Sequence, residues 1–83
     1  MTEHAGLPVK GYQPQTDDKI SKVNRLKELE ETFLREIDSL AKDPEVDGRW
    51  LAIGRTHIQQ GTMAAARAVF QPSRINLPGD TLA

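Results

Sequence analysis

Cysteine is absent from the 83 residues, so neither a disulfide framework nor a thiolate metal site can be built. Aromatic side chains are scarce, with one Trp, one Tyr and two Phe. No apolar run approaches the roughly 18 residues that a membrane-spanning helix needs. The first ten residues, MTEHAGLPVK, have neither the basic start nor the apolar stretch of a secretory leader. These absences give the expectation of a soluble intracellular protein. An excess of either charge is also missing. Eleven basic against twelve acidic residues leave −1, which excludes a generally basic binder of long nucleic acid. A chain this short is marginal as an isolated fold unless it is stapled or oligomeric.

What is present is helical. Residues 1–15 hold two prolines, two glycines and no helical period, and read as an extended N-terminal arm. Thr16 followed by Asp17 and Asp18 is an N-cap with acidic residues suited to the positive end of a helix dipole. Apolar residues then recur as Ile20, Val23, Leu26, Leu29, Phe33, Ile37 and Leu40, a sustained amphipathic stripe with Leu34 off its main line. It predicts a helix over about 16–42. The turn-rich connection Asp43-Pro44-Glu45-Val46-Asp47-Gly48 follows, and a second helix is predicted over about 48–71, stopped by Pro72. Two long helices on a short link make an antiparallel hairpin. Residues 72–83 have no period and read as a flexible tail. The domain map is therefore arm 1–15, hairpin 16–71 and tail 72–83.

Two helices offer one seam, yet the apolar residues cover more than one face. Helix one spreads them over more than a third of its circumference, and helix two adds Trp50, Ile53, Met63 and Phe70 on several faces. Gly54, Gly61 and Ala68 repeat a small residue every seven positions. Interior glycine costs about 1 kcal/mol relative to alanine, so this register points to close approach by another backbone or a ligand. Assembly of the hairpin into a compact homo-oligomer is the simplest way to cover these faces.

Catalytic constellations are missing. His4 and His57 have no metal-ligand partner at helical spacing. Glu28, Glu30, Glu31 and Glu36 form a solvated helix face, and no phosphate loop or nucleophile triad can be drawn. The expectation is a non-enzyme without cofactor or metal. Charge is uneven, however. Residues 16–43 carry six basic and eight acidic side chains, whereas 48–71 carry Arg49, Arg55 and Arg67 with no carboxylate. A locally cationic second helix suits a small anion. Three residues stand out, each with an ordinary reading beside a functional one. Tyr12, between Gly11 and Gln13-Pro14, is an arm aromatic packing on a neighbour or a platform for a planar base. Lys27 is a solvated flank of the stripe or a point charge reaching a phosphate. Arg67, in the run MAAARA, is a solvent-facing arginine or a fork for a phosphate among small neighbours. Trp50 reads as core or interface filler.

The run RWLAIGRTHIQQGTMAAARAV over residues 49–69, followed by Gln71-Pro72, resembles the phage anti-CBASS cyclic-oligonucleotide sponge family, of the second anti-CBASS type. The element order is similar as well, from the Gly11-Tyr12-x-Pro14 arm through the helix containing Lys27 and the Pro/Asp turn to that run. The resemblance covers about residues 11–72. It implies a homohexamer of helical hairpins in the cytoplasm of an infected bacterial host. Such an assembly binds cyclic di- and trinucleotides (cGAMP-like and cyclic tri-AMP-like) intact, keeping them from the effectors of CBASS immunity. By position, Tyr12 and Lys27 match the cyclic dinucleotide-binding residues at a seam between protomers, and Arg67 matches the arginine of a distinct cyclic trinucleotide pocket. The tail after Pro72 is longer than the family leads one to expect. The alternative reading is a helical homo-oligomer that serves structure or protein interaction and takes no nucleotide.

Overall fold

A computed structural model describes residues 9–80 of the chain. His4 and the first eight residues of the arm lie outside this range, as do residues 81–83. Two helices account for all regular structure among the described residues: α1, Asp17–Leu40, and α2, Gly48–Phe70. They lie side by side as a hairpin, with overall extents of 58 × 30 × 29 Å.

Both helices begin as their sequences dictate. Thr16 has extended backbone angles, and its hydroxyl accepts from the Lys19 N–H at 3.2 Å. Asp47 does the same for α2, its Oδ1 accepting from the Trp50 N–H at 3.0 Å. Each cap satisfies one of the amides left without a partner in a first turn. Their ends differ. α1 unwinds through Ala41, still right-handed, into a tight turn in which the Glu45 N–H donates to Asp43 Oδ1 at 2.9 Å. α2 stops at Gln71, which adopts the left-handed conformation at φ 49° and donates its N–H to Arg67 O at 2.7 Å. Pro72 disfavours a right-handed residue before it and has no N–H with which to continue the helix.

The seam between the helices is thin. Val23 and Ile37, each 4% exposed, are the buried apolar residues among those described. Leu26, Leu34, Leu51, Ile58, Ala65 and Val69 are half-buried along the same line. Thr62 also lies half-buried, and its hydroxyl donates to Ile58 O at 2.8 Å rather than remaining unpaired. Asp38 and Arg55 join the two helices by an ion pair.

Here the structure refines the sequence pattern. Leu34, off the main stripe by its spacing, is one of the half-buried residues, whereas Leu29 and Phe33 are 53% and 55% exposed. The period identifies the helix but averages two adjacent faces, one turned to α2 and one to solvent. Trp50 and Met63 are exposed on α2. Gly54 and Gly61 have open space within 4 Å of where a Cβ would stand, so nothing among the described residues explains their size.

Candidate functional site

The largest side chain of the arm is set by a turn. The Tyr12 N–H donates to Val9 O at 3.0 Å, and Gly11 in the third position has φ +83°. That angle is the one a type II turn requires there, and only glycine takes it without strain. Tyr12 leaves the turn 59% exposed and stands at the edge of a groove of 420 Å³, within the range of about 300–1,000 Å³ usual for small-ligand sites.

The floor and far wall of the groove come from α2. Met63, Arg67 and Phe70 are spaced by four and three residues, so they share one helical face. With Tyr12, Gln15, Ala66 and Pro72 they line an apolar trough with one cation in its wall. Arg67 makes no ion pair among the described residues. It lies in the last turn of α2, where the carbonyl end of the helix favours a positive charge. Gln15 anchors the arm, its Nε2 donating to Gln13 O at 2.7 Å and to Phe70 O at 3.1 Å. Its Oε1 is buried without a partner. An aromatic face, an apolar floor and an unpaired guanidinium can take a flat ring bearing a negative charge by stacking, burial and a forked hydrogen bond.

Lys27 is elsewhere in the protomer. It lies on the outer polar face of α1, in an open hollow lined also by Asn24, Glu28, Glu31, Arg35 and Glu36. Arg35 is paired with Glu31 at 2.9 Å, and three carboxylates outnumber the two cations there. Within one chain this hollow is no anion site, so any phosphate at Lys27 needs the surface of a second protomer. The three sequence candidates are thus divided. Tyr12 and Arg67 line one groove, although the sequence assigned them to different ligands, and Lys27 faces away from both. Gln15 was not singled out by the sequence, and no local pattern marks it. Met63 and Phe70 were legible as apolar residues on more than one face of helix two, and their spacing from Arg67 was the available signal.

No group of His, Asp and Glu able to hold a metal occurs among the described residues. No helix there is long and apolar enough to cross a membrane.

The family model for the Acb2/Tad1 hairpin domain matches residues 6–70. This chain belongs to that family. The match runs from the arm to the last residue of α2 and includes Tyr12, Lys27 and Arg67. Among curated relatives, Anti-CBASS protein 2 of Enterobacteria phage T4 is 34% identical over 80 residues, covering 77% of this chain and 91% of the relative. As a member of the Acb2/Tad1 hairpin family, the chain has the arm, the two helices and the turn in one matched unit, while Gln71 and the residues after it lie beyond the match.

Proposed function

We propose that this protein opposes CBASS immunity in the infected bacterial cell by binding cyclic di- and trinucleotide messengers and holding them intact. The observation that carries the reading is the groove in which the exposed Tyr12 ring and the unpaired Arg67 stand over the apolar face of α2. The relationship to a protein named for its anti-CBASS role supports it.

Binding is placed at junctions of a homo-oligomer, a hexamer by the family resemblance. Exposed apolar residues on both helices supply the reason for assembly. Leu29, Phe33, Leu40, Trp50 and Met63 all remain substantially in contact with solvent in a single chain, more apolar surface than a small monomer keeps without a partner. A second protomer brought to the Lys27 hollow would complete a dinucleotide site, with Tyr12 stacking on a base and Lys27 on a phosphate. Arg67 serves the trinucleotide. A ligand with two or three phosphates needs few cations, so a chain of net charge −1 is adequate. Retention comes from burial and a preformed pocket.

The test is capture and release. Protein is mixed with cyclic GMP–AMP or cyclic tri-AMP and filtered, and the retained protein is then heat-denatured. Intact messenger that is depleted from the filtrate and recovered after denaturation supports the proposal. Linear products would indicate a phosphodiesterase, and no depletion with any cyclic di- or trinucleotide would reject it. The exposed α1 face also fits an oligomer that takes no nucleotide, for which the melting temperature would not respond to any of them.

A further inference from the structure

We infer that the segment following α2 is a brace that fixes Tyr12 over the groove, with Gly11 and Ser73 as positioning residues. The inference rests on the reading of Tyr12 as the stacking platform for a base. The segment lies beyond the family match, which ends at residue 70, the last of α2.

Three observations join the arm to this segment, and a fourth ties the arm to the end of α2. The Ser73 N–H donates to Gly11 O at 2.9 Å, across 62 residues of sequence, and the Ser73 hydroxyl reaches the same oxygen at 3.5 Å. The backbones meet so closely that a Cβ on Gly11 would stand 2.5 Å from Ser73 O, a distance that real Cβ atoms do not tolerate. The Ile75 side chain covers the same spot at 3.7 Å. One turn back along the path, Gln15 donates to the last carbonyl of α2, Phe70 O. The left-handed cap at Gln71 and the rigid Pro72 are what turn the chain out of α2 and toward the arm.

Tyr12 is the residue next to Gly11. Its backbone is therefore held on one side by the Val9–Tyr12 turn and on the other by the clasp to Ser73. An arm without these ties would have to order itself each time a ligand bound, and that entropy would be subtracted from affinity. Braced, the ring is ready before the ligand arrives.

Gly11→Ala tests the brace, because the added methyl is driven against Ser73 O and the φ of +83° is strained for alanine. Gly79→Ala is the control. Gly79 has a similar φ of +96° with open space around it, so it has the same backbone strain without the clash. Affinity for cyclic GMP–AMP is measured for wild type, both alanine variants, Tyr12→Ala and the Gly11→Ala/Tyr12→Ala double variant, with oligomer mass recorded throughout. Gly11→Ala is expected to bind about tenfold more weakly at unchanged mass, a loss within the range of a displaced stacking partner, while Gly79→Ala matches wild type. In the Tyr12→Ala background Gly11→Ala should have no further effect, since a positioning residue has nothing left to position. The Ser73 amide should also exchange with solvent more slowly than those of Arg74 and Ile75, which donate no hydrogen bond among the described residues.

Wild-type affinity in Gly11→Ala, an equal loss with and without Tyr12, or unprotected exchange at Ser73 would each overturn the brace while leaving nucleotide capture standing. Absence of binding by the wild type, or a Tyr12→Ala variant that binds normally, would remove the stacking reading and the brace with it.

Discussion

Replacing Phe33 with alanine separates a hairpin that works alone from one that works in an assembly. Phe33 is 55% exposed on the outer face of α1, beside the exposed Leu29. A phenylalanine buries about 150–250 Å² when fully covered, so about 100 Å² of this side chain is left for a partner. At about 25 cal/mol per Å² that area corresponds to about 2.5 kcal/mol per chain once another protomer covers it. The same change in a lone hairpin removes only what α1 and α2 already cover, and alanine's better helix propensity returns about half a kcal/mol. The roughly 80 Å² already covered is worth about 2 kcal/mol at the same coefficient, so the net loss there is about 1.5 kcal/mol. In the assembly the loss applies to every copy and amounts to about two orders of magnitude in the association constant per chain, at about 1.4 kcal/mol for each factor of ten. Sedimentation over a dilution series, with urea unfolding at two protein concentrations, reads both quantities. The expected result is an oligomer that dissociates at much higher concentration in Phe33→Ala than in wild type, with unfolding midpoints that depend on concentration. If wild type and variant both sediment as single chains at all concentrations, with unfolding midpoints that do not depend on concentration, assembly through the exposed apolar surface is refuted.

Other expectations follow from the same geometry. Tyr12→Ala should weaken cyclic dinucleotide binding by about 1–3 kcal/mol with oligomer mass unchanged, because the ring is more than half in solvent, and Arg67→Ala should act on the cyclic trinucleotide instead. Calorimetry with both ligands checks this, and equal losses on both would show that the shared groove, not two pockets, governs binding. Asp47→Ala removes the acceptor for the Trp50 amide and should destabilise the fold by about 1 kcal/mol in urea titration. Gly61→Leu finds open space within the chain and improves helix propensity, so α2 should tolerate it. A loss of oligomer mass in that variant is expected if a second backbone approaches there, and an unchanged mass would mean that none does.

Local signals made most of the hairpin legible. Thr16 announced the first helix start and Pro72 the second stop, because capping is decided within three or four residues. The distribution of apolar residues between faces was not legible. A spacing of three and four is satisfied equally by a residue facing α2 and by one facing solvent beside it, so Leu34 and Phe33 exchanged the places that the stripe assigned them. The groove was half legible, since Tyr12 is the sole tyrosine and Arg67 an arginine among alanines. That the two would stand on one groove depends on the path of the arm past the end of α2. The arm's path is fixed by Gln15 on Phe70 O and Ser73 on Gly11 O, pairings 55 and 62 residues apart. No periodicity reports contacts of that range.

Native mass spectrometry of the protein mixed with cyclic GMP–AMP separates capture by an assembly from a lone, empty hairpin. One spectrum reports how many chains assemble and whether an unhydrolysed messenger travels with them. Capture by an assembly gives a closed multiple of the chain mass, six by the family resemblance, with adducts of the intact cyclic dinucleotide that diminish in Tyr12→Ala. A single chain without adduct at concentrations where the messenger is in excess would contradict it.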